Sequence, residues 1–271
     1  MRAKTVQCVY FTASGSTRKI IEAIAKGTGL ETKVPIDLSK QETRESFEGE
    51  LEGELILVGS PVYVGTVPSI ALGAFSKLQG EGKWAVPIGV YGTKSADDYV
   101  LQLSGLLRRR GFKILGGAEF VAEHSWAHKR APSGKGRPDY KDLEVAMEFG
   151  VKLSEKMRNP SESSIESKQL SKEDGYWEDR EKWPENIVKY LVGAPKIDQK
   201  KCIDCGKCVE VCPVNAVNRE THVSDKKLCT RCAACTKVCP TGAKTMGYNL
   251  LVSVFMKTWG SDRKEPEIYL S

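Results

Sequence analysis

The sequence predicts an α/β protein in two parts, a doubly wound parallel sheet followed by a smaller cysteine-rich domain. Three observations carry that expectation. Strand and helix signals alternate over residues 1–158 of the 271, the pattern of a parallel sheet covered on both faces. Eight of the nine cysteines fall between positions 202 and 239. Between these regions, residues 159–195 turn polar and read as a linker. The length suits about two domains. With 40% hydrophobic and 28% charged residues, the composition is that of a globular chain, not a disordered or fibrous one.

The elements follow in order. Lys4 to Phe11 is a β-branched and aromatic run, hence a strand, ending at a Ser/Thr/Gly turn. Ile20, Ile21 and Ile24 have helical spacing within Thr17–Lys26. Thr32–Ile36 is a short strand, and Leu55–Val58 is a continuous apolar run stopped by Gly59-Ser60-Pro61. Pro68–Leu78 reads as a helix with proline near its start. Trp84–Tyr91 is a strand, and Ala96–Arg110 a helix whose Arg108-Arg109-Arg110 end suits the dipole and reads as solvated. Phe112–Val121 is a last strand, broken at Gly116-Gly117. Asp139–Met157 is a final helix with Asp139 as its N-cap. In the linker, Trp177 and Trp183 are expected to dock on a domain surface. In the tail, 248–271, the run Leu250–Met256 is expected to pack on a neighbouring domain.

The formal net charge is +6, with +4 in residues 1–158, −3 in 159–195 and +5 in 196–247. No segment is basic enough to imply nucleic acid. No apolar run approaches the ~18–20 residues of a membrane span. The N-terminus lacks the pattern of a secretory signal. The expected location is the cytoplasm, where clustered cysteines are metal ligands more often than disulfides. Cys8, inside an apolar strand, reads as a buried small hydrophobe.

The cysteines form a repeat. Cys202-x-x-Cys205-x-x-Cys208-x-x-x-Cys212-Pro213 is followed by Cys229-x-x-Cys232-x-x-Cys235-x-x-x-Cys239-Pro240. Structural zinc uses four ligands in pairs and has no need of such triplets. His222, between the units, reads as a solvated loop residue. The block closely resembles a bacterial-type two-[4Fe–4S] ferredoxin domain over residues 196–247, in which the fourth cysteine of each run serves the other cluster. The resemblance implies a small α+β domain. It assigns Cys202, Cys205, Cys208 and Cys239 to one cluster, and Cys229, Cys232, Cys235 and Cys212 to the other. An oxidised cluster with four thiolates carries a net charge of roughly −2, so two such sites roughly offset the basic excess of this segment.

In open parallel sheets ligands bind at the carboxyl ends of strands, where the strand order reverses. The first such loop, Thr12-Ala13-Ser14-Gly15-Ser16-Thr17, is hydroxyl-rich and opens a helix, which suits a phosphate monoester. It has neither GxxxxGK[ST] nor GxGxxG. The next loops are Gly59–Pro68 and Tyr91–Asp98. Together the three resemble the FMN loops of the flavodoxin superfamily. The resemblance covers roughly residues 3–158 and implies a five-stranded sheet in the order 2-1-3-4-5. It assigns Thr12, Ser14, Gly15, Ser16 and Thr17 to the phosphate. Pro61, Val62, Tyr63, Val64 and Gly65 would flank the isoalloxazine, and Tyr91, Gly92, Thr93 and Asp97 would line its other side and pyrimidine end. Thr93-Lys94 and Ala96 stand where many relatives carry Asn-Arg and an aromatic. A fourth stretch, His124-Ser125-Trp126-Ala127-His128, is expected at the same edge, near the flavin or the cysteine domain.

The whole resembles the flavodoxin–ferredoxin fusion proteins of anaerobes. That implies an electron carrier holding two [4Fe–4S] clusters and FMN, working between redox partner proteins whose identities stay open, as does a homodimer. The alternative is an FMN-dependent reductase of a small molecule, fed by the clusters. A cluster-bearing regulator would need a DNA-binding module, and none is found.

Overall fold

The computed structural model describes residues 3–92, 95–128, 131–163, 165, 189, 191–248, 252 and 263–270. The first domain runs β1 (Thr5–Tyr10), α1 (Ser16–Thr28), β2 (Glu31–Thr32), β3 (Ile36–Asp37), α2 (Gln41–Ser46), β4 (Leu55–Pro61), α3 (Ser69–Phe75), β5 (Trp84–Tyr91), α4 (Tyr99–Arg109), β6 (Lys113–Ile114), β7 (Gly117–Val121) and α5 (Tyr140–Lys156). The second runs β8 (Val192–Ile197), α6 (Lys207–Glu210), α7 (Ala234–Lys237) and β9 (Lys244–Tyr248), and the tail adds β10 (Glu267–Tyr269).

The sheet order is β10-β7-β5-β4-β1-β2, with β3 also on β1 and β6 also on β5. The short pairs β2/β3 and β6/β7 are each one strand in two pieces, interrupted near Pro35 and at Gly116. Counted so, the parallel strands lie in the order 2-1-3-4-5. The tail strand was not expected. β10 pairs antiparallel with β7, covering an edge that would otherwise offer unpaired N–H and C=O groups.

Strand residues alternate between two apolar layers. Val6, Cys8, Leu55, Leu57, Val86, Ile88 and Phe120 meet α1 and α5 through Ile20, Ile24, Ala146 and Phe149. Val9, Ile56, Val58, Ala85 and Val121 meet α3 and α4 through Ala71, Phe75, Tyr99 and Leu103. Cys8 is buried, as expected. The α1–α5 crossing is close because glycines form it. A Cβ on Gly27 would lie 2.0 Å from the Met147 carbonyl oxygen, and one on Gly150 2.1 Å from that of Ile24.

Asp139 caps α5 in a capping box with Asp142. Asp142 is fully buried and receives Arg137, at 2.5 and 3.0 Å, and Arg263 of the tail, at 3.0 Å. Arg108 and Arg110 are not merely solvated. Arg108 reaches the carbonyls of Ser163 and Ile165, and Arg110 that of Leu78. Most of the expected linker, Trp177 and Trp183 included, lies outside the described residues. β8 already starts at Val192, inside the linker's expected range. In the Leu250–Met256 run only Val252 is described, buried beside Val192, Tyr248 and Trp126. Among the described residues no helix is long and apolar enough to cross a membrane.

Gly150→Ala is expected to destabilise the protein by ~1–3 kcal/mol through overpacking of α1 against α5. Urea unfolding should show a lower midpoint at unchanged slope. An unmoved midpoint would mean that the two helices do not approach this closely.

Candidate functional site

Each Cys-x-x-Cys-x-x-Cys run has a backbone of alternating hand. Asp204 (φ 54) and Gly206 (φ 68) are left-handed in the first run, and Arg231 (φ 63) and Ala233 (φ 60) at the matching places in the second. Such alternation turns successive N–H groups to one side and makes a concavity suited to an anion. Three of the four are not glycine, a strain that tends to persist at functional sites. The one-turn helices α6 and α7 carry Cys208 and Cys235. Cys212 and Cys239 follow, and their sulfurs accept the backbone N–H of Ala216 at 3.2 Å and of Lys244 at 3.4 Å.

The thiols gather in two sets. Cys202, Cys205, Cys208 and Cys239 line one cavity, whose wall includes His222 and Lys244. Cys212, Cys229, Cys232 and Cys235 line a second, with Pro195 and Ser224. Three thiols of one run thus meet the fourth of the other. Among the described residues no three His, Cys, Asp or Glu side chains converge as a single-ion site. Each set surrounds a volume, not a point. Burial pushes the Cys232 thiol up to about 11 and the Cys235 thiol up to about 12. His222 is not the solvated residue expected. It is buried, with Nε2 3.4 Å from Asp204 Oδ1.

At the carboxyl edge of the sheet, Gly15 (φ 84) opens α1, and no side-chain cap occupies the helix start. Thr12 Oγ1 accepts the Gly15 N–H at 3.0 Å, and the Ser14 and Ser16 hydroxyls are 3.5 Å apart. Thr17 is buried beneath them. In the second loop, Pro61 ends β4 and the Val62 N–H joins β5 at Val90. Tyr63 and Thr66 exchange both backbone hydrogen bonds around Val64 (φ 51) and Gly65 (φ 78). A β-branched residue at positive φ is a strained choice, and Val64 is also 58% exposed. Gly65 lies against Asp97, whose Oδ2 would be 2.4 Å from a Cβ there. Asp97 is bonded to the Ser95 hydroxyl through both its carboxylate and its N–H. Tyr91 is buried, and Gly92 lies under His124. Thr93 falls outside the described residues.

Two residues that hold the second loop were read in the sequence only as helix positions. The Tyr99 hydroxyl, fully buried, accepts the Ser60 N–H at 2.9 Å and shares a hydrogen bond with the Ser60 hydroxyl at 2.8 Å. Gln102 Oε1 accepts the Val67 N–H at 2.7 Å. Their signal is a polar group among the buried positions of a helix that also buries Val100, Leu103, Leu106 and Leu107.

The stretch after β7 joins the two domains. His124 covers Gly92, and its Nδ1 accepts the Trp126 N–H at 3.1 Å. Trp126 Nε1 donates to the Arg231 carbonyl at 2.7 Å, and Tyr248 donates to the Trp126 carbonyl at 2.9 Å. Lys237 pairs with Glu123. Across the same seam Arg44 donates to the Pro213 carbonyl. Cys232 and Ala234 belong to the apolar cluster of the first domain, with Val62 and Tyr63 packed against it. The Cys212/229/232/235 set is therefore the one seated on the sheet domain. Burial, then Lys237, holds His124 down to about 4, while burial, then Glu267, pushes Glu119 on β7 up to about 7.

A 4Fe–4S binding domain family matches the chain twice, over residues 195–218 and 222–245. No curated protein matches. Among solved structures, a flavodoxin from the domain Archaea is 20% identical, covering 57% of this chain and 99% of its own, with a TM-score of 0.38. A WrbA-like flavodoxin from Agrobacterium tumefaciens is 17% identical over 58% and 99%, at 0.39. The rubredoxin oxygen:oxidoreductase of Desulfovibrio gigas is 16% identical over 57% of this chain and 36% of its own, at 0.42. The chain joins an α/β domain whose parallel strands lie in the order 2-1-3-4-5 to a small domain with two 4Fe–4S family matches.

His124 has a folded pKa below its unfolded value near 6.5. The unfolded state therefore binds more protons between about pH 6.5 and about 4, and stability is lost as pH falls through that window. Glu119 acts in the opposite sense, so the comparison is made within a variant pair. From pH 7.5 to pH 5, urea unfolding should show wild type losing more stability than His124→Asn. Equal losses would place His124 in water.

Proposed function

We propose that the protein is an electron-transfer iron–sulfur flavoprotein that holds two [4Fe–4S] clusters and one FMN and works between external redox proteins. The observation that carries the proposal is the pairing of cysteines around the two cavities, three from one run and the fourth from the other. Thiolates that served one metal ion would meet within ~2.3 Å of a common point. These sets instead line two separate cavities, and left-handed residues fall within each run, a backbone suited to an anion. The clusters would supply one-electron transfer, and the flavin exchange of one or two electrons.

In this reading Cys202, Cys205, Cys208 and Cys239 hold the outer cluster, and Cys212, Cys229, Cys232 and Cys235 the cluster next to the sheet. Thr12, Ser14, Gly15, Ser16 and Thr17 bind the FMN phosphate. Pro61 to Gly65 flank the ring, with Tyr91, Gly92, Thr93 and Asp97 opposite. Electrons enter where Cys205 and Ile203 are exposed and pass inward through the set whose Cys232 joins the apolar cluster that Val62 and Tyr63 pack against. His124 favours a carrier over a small-molecule reductase. Its burial keeps the imidazole neutral at pH 7, and Nδ1 is already accepting a hydrogen bond, so it is poorly suited to donate a proton to a substrate.

Protein purified without oxygen is expected to contain about eight irons and one FMN per chain. Zinc in place of iron, or no flavin, would overturn the reading. Cys232→Ser should roughly halve the iron and slow flavin reduction by an external ferredoxin. Tyr99→Phe leaves the buried Ser60 N–H without its acceptor, and FMN should bind about tenfold more weakly, ~1.4 kcal/mol. Calorimetric titration of the apoprotein measures this, and unchanged affinity would remove Tyr99 from the site.

A further inference from the structure

The cysteine domain buries a lysine without an anion. Lys244 is 2% exposed, and its ammonium donates to the Ser224 hydroxyl at 2.8 Å. Among the described residues it makes no ion pair. A buried ammonium costs several kcal/mol unless it is paired. By contrast, the buried guanidinium of Arg137 faces the carboxylate of Asp142. Arg231, also buried, at least places its guanidinium on three carbonyls, those of Val192, Cys229 and Lys226. Lys244 has a single neutral hydroxyl. Nor is its position set by packing alone, since a methionine would fill the same space at less cost.

The location supplies the missing anion. Lys244 lies in the wall of the cavity lined by Cys202, Cys205, Cys208 and Cys239. Its partner Ser224 lies in the wall of the other. Between the two, Val217 packs against both Cys208 and Cys235. The ammonium therefore stands at the partition between the thiol sets.

We infer that Lys244 is the common counter-cation of the two clusters and holds both of their reduction potentials up. The inference rests on the cluster reading above. Reduction of either cluster adds one electron, and so one negative charge, and a fixed positive charge at the partition favours that state. One side chain thus acts on both centres, whereas the hydrogen bond from its backbone N–H to the Cys239 sulfur acts on one.

The test uses the full chain prepared without oxygen, with Lys244 replaced by Met, Gln and Arg and with exposed Lys200→Met as the control. Iron is counted first, and both clusters are then titrated with a chemical reductant while EPR is recorded. K244M and K244Q are expected to keep about eight irons. At a fixed ambient potential, the ratio of reduced to oxidised form should fall about tenfold for each cluster, a shift of ~59 mV for a one-electron centre. K244R should stay near wild type and K200M should not move. Loss of iron in both neutral variants with retention in K244R would also support the inference. Unmoved potentials in iron-loaded K244Q would overturn it, as would a shift confined to one cluster, or iron loss in all three Lys244 variants. In the first two cases the cluster reading stands. Iron-free wild-type protein would instead overturn the cluster reading, and the inference with it.

Discussion

Ala234 is completely buried, and it is buried in the core of a domain to which it does not belong by sequence. With Cys232 it inserts a turn of the second cysteine run among apolar residues at the carboxyl edge of the parallel sheet. The relation between the two candidate cofactor sites depends on this contact. It seats one thiol set beside the loops that follow β4 and β5, and it leaves the other facing outward. Polar clamps on both flanks, from Trp126 to the Arg231 carbonyl and from Arg44 to the Pro213 carbonyl, fix the orientation that the apolar contact alone would leave free. Apolar burial is non-directional, and the hydrogen bonds supply the direction.

Among the described residues, eight that are not glycine have positive φ, and five of them, Val64, Asp97, Asp204, Arg231 and Ala233, lie in the loops or cysteine runs of the candidate sites. The cost is borne by rigid neighbours: Tyr99 and Gln102 on α4 for the second loop, and the β8–β9 pair for the cysteine runs. The fold's plainer parts, α1 packed on α5 and the alternating strands of the sheet, carry no such strain within their strands and helices.

What was legible in the sequence was local. The cysteine spacing records which thiols share a turn, and hydroxyls and glycines mark a loop that opens a helix, while the roles proposed for these residues came from likeness to known families. What was not legible depends on contacts between distant segments. Tyr99 looks like one more apolar position on a helix until Ser60 is placed on its hydroxyl. His222 looks solvated until the two cysteine runs fold around it. Lys244, in a five-residue strand, resembles any outward-facing lysine, and only the closing of two cavities on either side reveals its burial. α2 has no buried residue, so it offered no apolar period to find. The order of the strands came from likeness to known sheets and not from any property of the strands themselves.

The return of the tail to β7 changes what kind of fusion this is. Chain order alone suggests a sheet domain with an iron-binding module trailing behind it. In space the module is parenthetical: the polypeptide leaves the sheet after α5, builds the cysteine domain, and comes back to finish the sheet with β10. Arg263 and the carbonyl of Leu270, held by Lys156, fasten the closing bracket. Removing everything after residue 191 therefore strips the larger domain of its own border strand. A faithful excision would splice across the module and keep both ends of the sheet.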